Sequence, residues 1–461
     1  MEKPVAIVGA GLAGSEAALQ LASRGIPVAL YEMRPEQPTD VHRTDACAEL
    51  VCSNSLKSTK RESAAGMLKA ELDALGSRLF AAALRHAVPA GGALAVDRNA
   101  FAQDVTEQIE VEPRIDLRRQ EVKGLQELAS ASSAVILATG PLTSDALAQE
   151  ISDIVGGPAL AFYDAAAPIV MADSLDHSVL FRQSRYEEAA DGEGNSRGDY
   201  LNAPFSKDEY ERFVDELLAA DRVMARDFES KDLFQACQPI EEIARAGRDA
   251  PRFGPMKPVG LTDPRTGRRP WAALQLRAED AQGSCYNLVG FQTNLKFGEQ
   301  ARVFRMIPGL EHAEFARYGV MHRNTFLDAP RLLDPSLRLR GPAGSALPAP
   351  VFVAGQLGGT EGYCEAIRSG LHAALSVAAL LGGTALPPVP RETAFGALLA
   401  HATDPETVDY QPMHVNFGVL PPLDPPIRNK RERYAAYAAR GEEALAAYRS
   451  SLEQAGLIGG R

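Results

Sequence analysis

The stretch PVAIVGAGLAGSEAALQLASRGIPVALYEM, residues 4–33, leaves this chain few folds to choose from. A short apolar strand over 5–8 runs into Gly9-x-Gly11-x-x-Gly14, an Ala/Leu-periodic helix follows, and a second apolar strand over 28–31 ends at Glu32. A lone GxGxxG is a weak signal, but here strand, glycine turn, helix, second strand and terminal acid follow in the order of a dinucleotide-binding βαβ unit. Gly9 permits the tight turn, Gly11 lets a pyrophosphate approach the backbone, and Gly14 lets helix and strand pack closely. The start of the helix, with Ala10, Leu12 and Ala13, offers free N–H groups and positive dipole to phosphates, and Glu32 can accept from ribose hydroxyls.

Two later segments favour FAD over NAD. SAVILATGPL, residues 133–142, is a strand that turns through Ala138-Thr139-Gly140, small residues that let a sheet edge pass close to a flavin dinucleotide. APVFVAGQLGGTEGYCEAIRSGLHAALSVAALL, residues 349–381, is a strand, a turn carrying Gly355, Gln356, Gly358, Gly359 and Gly362, and a long helix beginning near Tyr363. The N-terminus of that helix suits the pyrimidine side of a flavin, where negative charge collects on reduction. The expected fold is α/β: a glutathione-reductase-type FAD-binding, Rossmann-like domain interrupted by an inserted α+β domain. The expected boundaries are 1–165 for the first part of the FAD domain, 166–325 for the insertion, and 326–461 for the second part with a C-terminal helix. DGEGNSRGD, 191–199, has glycines in a polar acidic setting and reads as a surface loop, so any NAD(P)H is expected to bind transiently over the flavin rather than in a domain of its own.

At 461 residues the chain is long enough for two or three structural units. No run of 18 apolar residues and no signal-peptide pattern occurs, which predicts a cytoplasmic protein with no membrane span. The five cysteines, Cys47, Cys52, Cys237, Cys285 and Cys364, are scattered, without Cys-x-x-Cys pairs or a His/Cys cluster. Neither a disulfide framework nor a metal site is expected. The net charge is −12, yet residues 245–340 hold 16 Lys/Arg against 9 Asp/Glu, an asymmetry that suits a local phosphate-binding face.

Three places carry candidate chemistry. AELVCSNSLKST, 48–59, sets Cys52 before a run of small polar residues that reads as a turn. LFQACQPIEEIARAG sets Cys237 before a helix whose first turn holds Glu241 and Glu242; a helix N-terminus lowers a thiol pKa, and the two acids oppose it. PVGLTDPRTGRRPWAALQLR places Arg265, Arg268 and Arg269 around a proline turn beside Trp271, the one tryptophan, a set suited equally to RNA phosphate or base contacts and to structural roles in the turn.

These residues, with HRTDACAELVCSNSLKS, VPAGGALAVDR, LVGFQTNLKFGEQARVFRMIPGLEHAEFARYGVMHRNTF, AGQLGGTEGY and HVNFG, resemble the bacterial folate- and FAD-dependent tRNA (uracil-5-)-methyltransferases over most of the chain. The resemblance implies transfer of a one-carbon unit from 5,10-methylenetetrahydrofolate to C5 of the T-loop uridine of tRNA, position 54, with the final hydride from reduced FAD and re-reduction by NADH or NADPH. Relatives of the family also act on ribosomal RNA. An FAD-containing RNA- or folate-binding protein, or a flavin oxidoreductase that moves hydride only, are the alternatives; retention of two motif cysteines favours methyl transfer. Carried over residue by residue, Cys237 matches the thiol that adds to uracil C6, and Cys52 the thiol beside the flavin that guards or relays the one-carbon unit. The opposite assignment of the two thiols remains open here. Tyr363 is placed to stack on a pterin. The chain departs from the family pattern at Asn294 and Phe297, on an expected substrate surface, and at Cys364 and Arg368, expected near the flavin.

Overall fold

The computed structural model describes residues 3–39, 41–156, 160–185, 198–223, 238–407 and 410–459. Cys237 and most of the glycine-bearing loop at 191–199 lie outside the described residues.

The apolar runs read from the sequence assemble into one five-stranded parallel sheet, in the order Val351–Val353, Ala134–Leu137, Val5–Val8, Val28–Glu32, Ile115–Arg119. Val5, Ala6 and Ile7 at its centre are fully buried, as continuous apolar strands of a parallel sheet must be when helices cover both faces. Helix Leu12–Ser23 packs against helix Tyr363–Leu381. They meet almost backbone to backbone, because a Cβ on Gly370 would lie 2.1 Å from the Ala13 carbonyl oxygen. Tyr363–Leu381 is the one helix among the described residues long and apolar enough to cross a membrane, and 78% of its most apolar 18-residue stretch is buried inside the protein.

A second body contains a six-stranded sheet in the order Phe181–Arg182, Tyr200–Phe205, Ala272–Ala278, Cys285–Leu288, Ile169–Met171, Phe315–Arg317, with antiparallel neighbours throughout. Its own core packs Phe205, Phe213, Phe291 and Phe304 ring against ring, Phe213 stacked on Phe291 and Phe304 edge-on to Phe291. Helix Lys207–Ala219 starts at a Ser206 capping box with Glu209, as its Ser and first-turn acids predict. ARVFRMI, which reads as a short strand with a helix start as the alternative, falls in helix Phe297–Phe304 and the turn after it. An antiparallel ribbon, Leu160–Ala165 paired with Met321–Phe326, joins this body to the parallel sheet. A glutathione-reductase-like sheet carrying an inserted α+β body is therefore the architecture. A three-stranded sheet (Ser55–Ser58, Ala87–Val88, Ala93–Val96) flanks the Cys52 segment, and helix Lys430–Gln454 buries Leu445, Tyr448 and Leu452 against Leu75, Leu371 and Leu375.

Candidate active site

A cavity of about 360 Å³ opens along the C-terminal ends of the parallel strands, where open α/β sheets bind their ligands. One end is set by the glycine turn. A Cβ on Gly9 (φ +99°) would lie 2.5 Å from the Ala138 carbonyl oxygen, and one on Gly14 would lie 1.8 Å from the Gly9 carbonyl oxygen, so both glycines are demanded by backbone packing. A Cβ on Gly11 or on Gly140 would meet no protein atom within 4 Å; both residues border the cavity. The turn thus divides its labour: two glycines close the fold and the third leaves bare backbone toward the space a phosphate would fill.

Glu32 ends its strand buried at the same end. Burial alone would raise its pKa, but hydrogen bonds from Arg34, its charge, and the Ala10 N–H hold the carboxyl below its ordinary value. Arg34 donates from Nε at 2.9 Å and from its backbone N–H at 3.1 Å, and Ala10 N–H donates at 3.1 Å. Glu32 therefore stands as a carboxylate, fixed in place and bordering the cavity. Arg34 also reaches Glu49 at 3.1 Å, and burial beside Arg34 drives the neighbouring His42 down to about 4, leaving it neutral.

The other end is built by the Cys52 segment and the start of helix Tyr363–Leu381. The Tyr363 hydroxyl accepts from the backbone N–H of Cys52 at 2.9 Å and of Ser53 at 3.1 Å, and burial pushes its phenol up, so it stays neutral. Across the segment, Arg277 donates from Nε to Asn54 Oδ1 and from Nη2 to Ser53 Oγ, both at 2.7 Å. Asn54 in turn donates to the carbonyls of Val96 and Ala278 at 3.0 Å. Arg98, paired with Glu279 at 2.7 Å, donates to the Leu50 carbonyl at 2.5 Å. Strand Ala272–Ala278 of the inserted body thus grips the thiol segment from one side while Tyr363 grips it from the other. Beyond it, Lys57 holds a left-handed backbone (φ +66°) and reaches Glu365 at 3.7 Å. A non-glycine residue held there borders the cavity, a placement of strain common at ligand sites.

Of the residues singled out in the sequence, Gly9, Gly11, Leu12, Ala13, Glu32, Cys52, Ala138, Thr139, Gly140, Gly355, Gln356, Gly362 and Tyr363 border this one cavity. Ala10, Gly14, Gly358 and Gly359 do not. Gly358 packs on Val353, and Gly359 (φ +86°) abuts the Tyr410 hydroxyl. The proline turn is not brought to the cavity. Trp271 precedes strand Ala272–Ala278, and the far end of that strand meets the Cys52 segment, roughly 20 Å away at about 3.3 Å per residue. Arg265 is held by Asp263 at 3.0 Å, whereas Arg268 and Arg269 are exposed. Trp271 is covered by Arg252, 3.7 Å from its ring centre.

The departures sort differently from expectation. Cys364 borders the cavity, its thiol pushed up to about 11 by burial. Arg368 is not at the cavity: it is fully buried, stacked 4.3 Å from the Phe395 ring centre and 3.6 Å from Glu71. Asn294 is buried rather than on a surface, its N–H donating to Glu241 at 2.6 Å, while Phe297 is exposed and stacks on Tyr318 at 5.0 Å. Sequence reading missed Arg34, Glu49, His42, Lys57, Arg98, Arg277 and Glu279. Arg34 follows directly on the strand that ends at Glu32, and Arg277 closes the quoted stretch PVGLTDPRTGRRPWAALQLR, but nothing in either stretch showed what its guanidinium reaches. Among the described residues no three His, Cys, Asp or Glu side chains form a metal-binding group.

A glycine turn at a helix start, a fixed carboxylate at the second strand and a cavity running to a later helix N-terminus define a dinucleotide-binding flavoprotein fold with a thiol at the far end. A family model, Glucose inhibited division protein A, matches residues 4–385. The Methylenetetrahydrofolate--tRNA-(uracil-5-)-methyltransferase TrmFO of Geobacter sulfurreducens is 53% identical over 94% of this chain and 96% of its own length. The proteins of the same name from Heliobacterium modesticaldum and Desulforudis audaxviator are 50% and 51% identical, each over at least 96% of this chain and 97% of their own. The chain belongs to this TrmFO family, within the wider Glucose inhibited division protein A family. Among solved structures, GidA of Aquifex aeolicus aligns with TM-score 0.68 at 17% identity, covering 99% of this chain and 74% of that one, which supports the shared fold.

Proposed function

We propose that this protein transfers a one-carbon unit from 5,10-methylenetetrahydrofolate to C5 of the T-loop uridine of tRNA, position 54, as a folate- and FAD-dependent (uracil-5-)-methyltransferase. The observation that carries the reading is the Cys52 segment, clamped between the FAD-type cradle and the inserted body at the end of a cavity that begins at the glycine turn. The residues present fit FAD: bare backbone at Gly11 and Gly140 and a fixed carboxylate at Glu32 stand where pyrophosphate and ribose bind in this fold. When bound and reduced by NAD(P)H, FAD would supply the hydride that completes the methyl group.

The protein's own residues do the rest. Gly9, Gly11, Leu12 and Ala13 hold the pyrophosphate, Glu32 the ribose, and Ala138, Thr139, Gly140, Gly355, Gln356 and Gly362 close the remainder of the cleft. C5 of uracil is a poor nucleophile, so a thiolate adding at C6 is needed to raise its electron density. Cys237 is assigned that addition, and Cys52 the place beside the incoming carbon. Tyr363 positions Cys52 directly through its backbone N–H, and Arg277 does so through Ser53 and Asn54. Residues 166–325 are taken as the RNA-facing domain, between the two parts of the FAD domain at 1–165 and 326–461, with Arg268 and Arg269 on its exposed turn.

Incubating the protein with methylenetetrahydrofolate, NADPH and an unmodified tRNA transcript should yield 5-methyluridine. No product, with flavin bound and reducible, would sink the reading. Cys52→Ala and Cys237→Ala should each abolish product while leaving the flavin spectrum; near-normal turnover by either removes that thiol from the chemistry.

A further inference from the structure

The buried arginines around the cavity are matched, with one exception. Arg34 faces Glu32 and Glu49, Arg98 faces Glu279, and Arg277 is spent on Asn54 and Ser53. Arg317, on strand Phe315–Arg317 of the inserted body, is 8% exposed, and its Nε and Nη2 have no hydrogen-bond partner. Its charge interacts with Cys52, Tyr363, Arg98 and Arg43, and with His42 on the far side, which sets it at the Cys52 end of the cleft. Arg98 is already neutralised by Glu279. Arg43 is exposed, and its side chain has no carboxylate partner among the described residues.

Taking a guanidinium out of water costs free energy unless an anion and hydrogen-bond acceptors meet it. Here the protein supplies neither, and a second cation, Arg43, extends the same potential toward solvent. We propose that Arg317, assisted by Arg43, is a subsite for a backbone phosphate of the RNA, the one carried by the nucleotide whose base is delivered to Cys52. This rests on the methyltransferase reading. A base is tied to its phosphate through a single sugar, so a uracil beside Cys52 necessarily brings a phosphate to its vicinity. A folate carboxylate, by contrast, is held away from its pterin by a whole aminobenzoyl unit. Arg317 also comes from the inserted body and does not line the dinucleotide cavity, which fits a ligand entering from that side. Two adjacent N–H donors match two phosphate oxygens in the fork geometry that arginine offers.

The test uses the FAD-loaded full chain and a tRNA transcript, with binding measured from 50 to 300 mM KCl. Arg317→Gln should weaken binding about tenfold and flatten the slope of log affinity against log salt by about 0.7–0.9, one phosphate contact. Arg317→Lys should restore most of the slope. The flavin spectrum and the KM for methylenetetrahydrofolate should not move. An unchanged slope with a raised folate KM would assign the residue to a folate carboxylate, and an unchanged slope and KM would make it structural; either overturns the proposal. Should Arg317→Gln lose its flavin or unfold, Arg43→Gln, at an exposed position, carries the test: a flatter slope supports the subsite and an unchanged one rejects it. Wild-type protein that binds tRNA without forming 5-methyluridine would refute the methyltransferase reading instead, whereas product formation with an unaltered Arg317→Gln slope refutes only the subsite.

Discussion

Replacing Arg277 with alanine should loosen the Cys52 segment on one side only. The guanidinium makes two charged hydrogen bonds at 2.7 Å, to Asn54 Oδ1 and Ser53 Oγ, and such bonds contribute roughly 1.5–3 kcal/mol each. Against that stands the burial of Arg277 itself, which holds its guanidinium below the ordinary value and whose cost the variant no longer bears. The net loss should be about 2 kcal/mol, less than the two bonds added together, because Tyr363 still accepts from the Cys52 and Ser53 N–H groups. If that loss falls on the segment, its open population rises roughly 30-fold, since about 1.4 kcal/mol is a factor of ten. The assay is the rate of Cys52 alkylation by iodoacetamide, read by peptide mass spectrometry, alongside urea unfolding. Cys47 and Cys364 are buried and serve as internal references. Arg277→Lys, with one ammonium in place of a two-pronged donor, should fall between. The double variant with Asn54→Ala should be no worse than the sum of its parts, with a coupling of about 0.5–3 kcal/mol expected for groups in one network. Wild-type alkylation and stability in Arg277→Ala would refute the clamp.

Two further outcomes follow from the same geometry. Gly11→Ala should fold normally and fail to retain flavin, because its methyl meets no protein atom and enters the cleft, whereas Gly14→Ala should lose stability as well, with its methyl 1.8 Å from the Gly9 carbonyl oxygen; thermal unfolding and flavin absorbance decide, and the reverse ordering would contradict the division of roles. Burial pushes the Glu241 carboxyl up from 4.5 to about 7, so the native state keeps a proton that the unfolded chain releases: the contribution is complete below about 4.5 and is lost as pH rises through about 7. Within that window this group lowers stability by about 1.4 kcal/mol per pH unit, and the stability of wild type relative to Glu241→Gln, which does not titrate, should fall from pH 5 to pH 7 in urea titrations. A difference independent of pH would show that Glu241 is ionised in the fold.

The parallel sheet and the cradle were legible because their information is local. Gly9, Gly11, Gly14 and Glu32 lie within one βαβ unit, and each obeys a rule of backbone space or strand ending. Helix Lys207–Ala219 was legible for the same reason, by its Ser206 cap and first-turn acids. What escaped is long-range. Arg277 meets Asn54 and Ser53 across more than 220 residues, and the stretch it closes, PWAALQLR, shows nothing of where its guanidinium goes. Arg368 misled through proximity in sequence: it lies one turn beyond Cys364, and that turn carries it about 6 Å along the helix and under Phe395. Gly359 was grouped with the cradle because its turn looks uniform in sequence, and only the fold shows Tyr410 filling the space beside it.

The ribbon formed by Leu160–Ala165 and Met321–Phe326 pairs Leu160 with Phe326 at one end and Ala165 with Met321 at the other. The chain therefore departs from the flavin-type sheet and returns to it at a single point, side by side. A segment attached in this way can be exchanged for another without disturbing the register of the five parallel strands. Natural variation can then remodel the antiparallel body while the parallel half is inherited unchanged, much as a tool holder accepts a new bit. The exchange has one restriction: an incoming body must still present an arginine where Arg277 reaches Ser53 and Asn54, or the thiol it is meant to serve will be left loosely held.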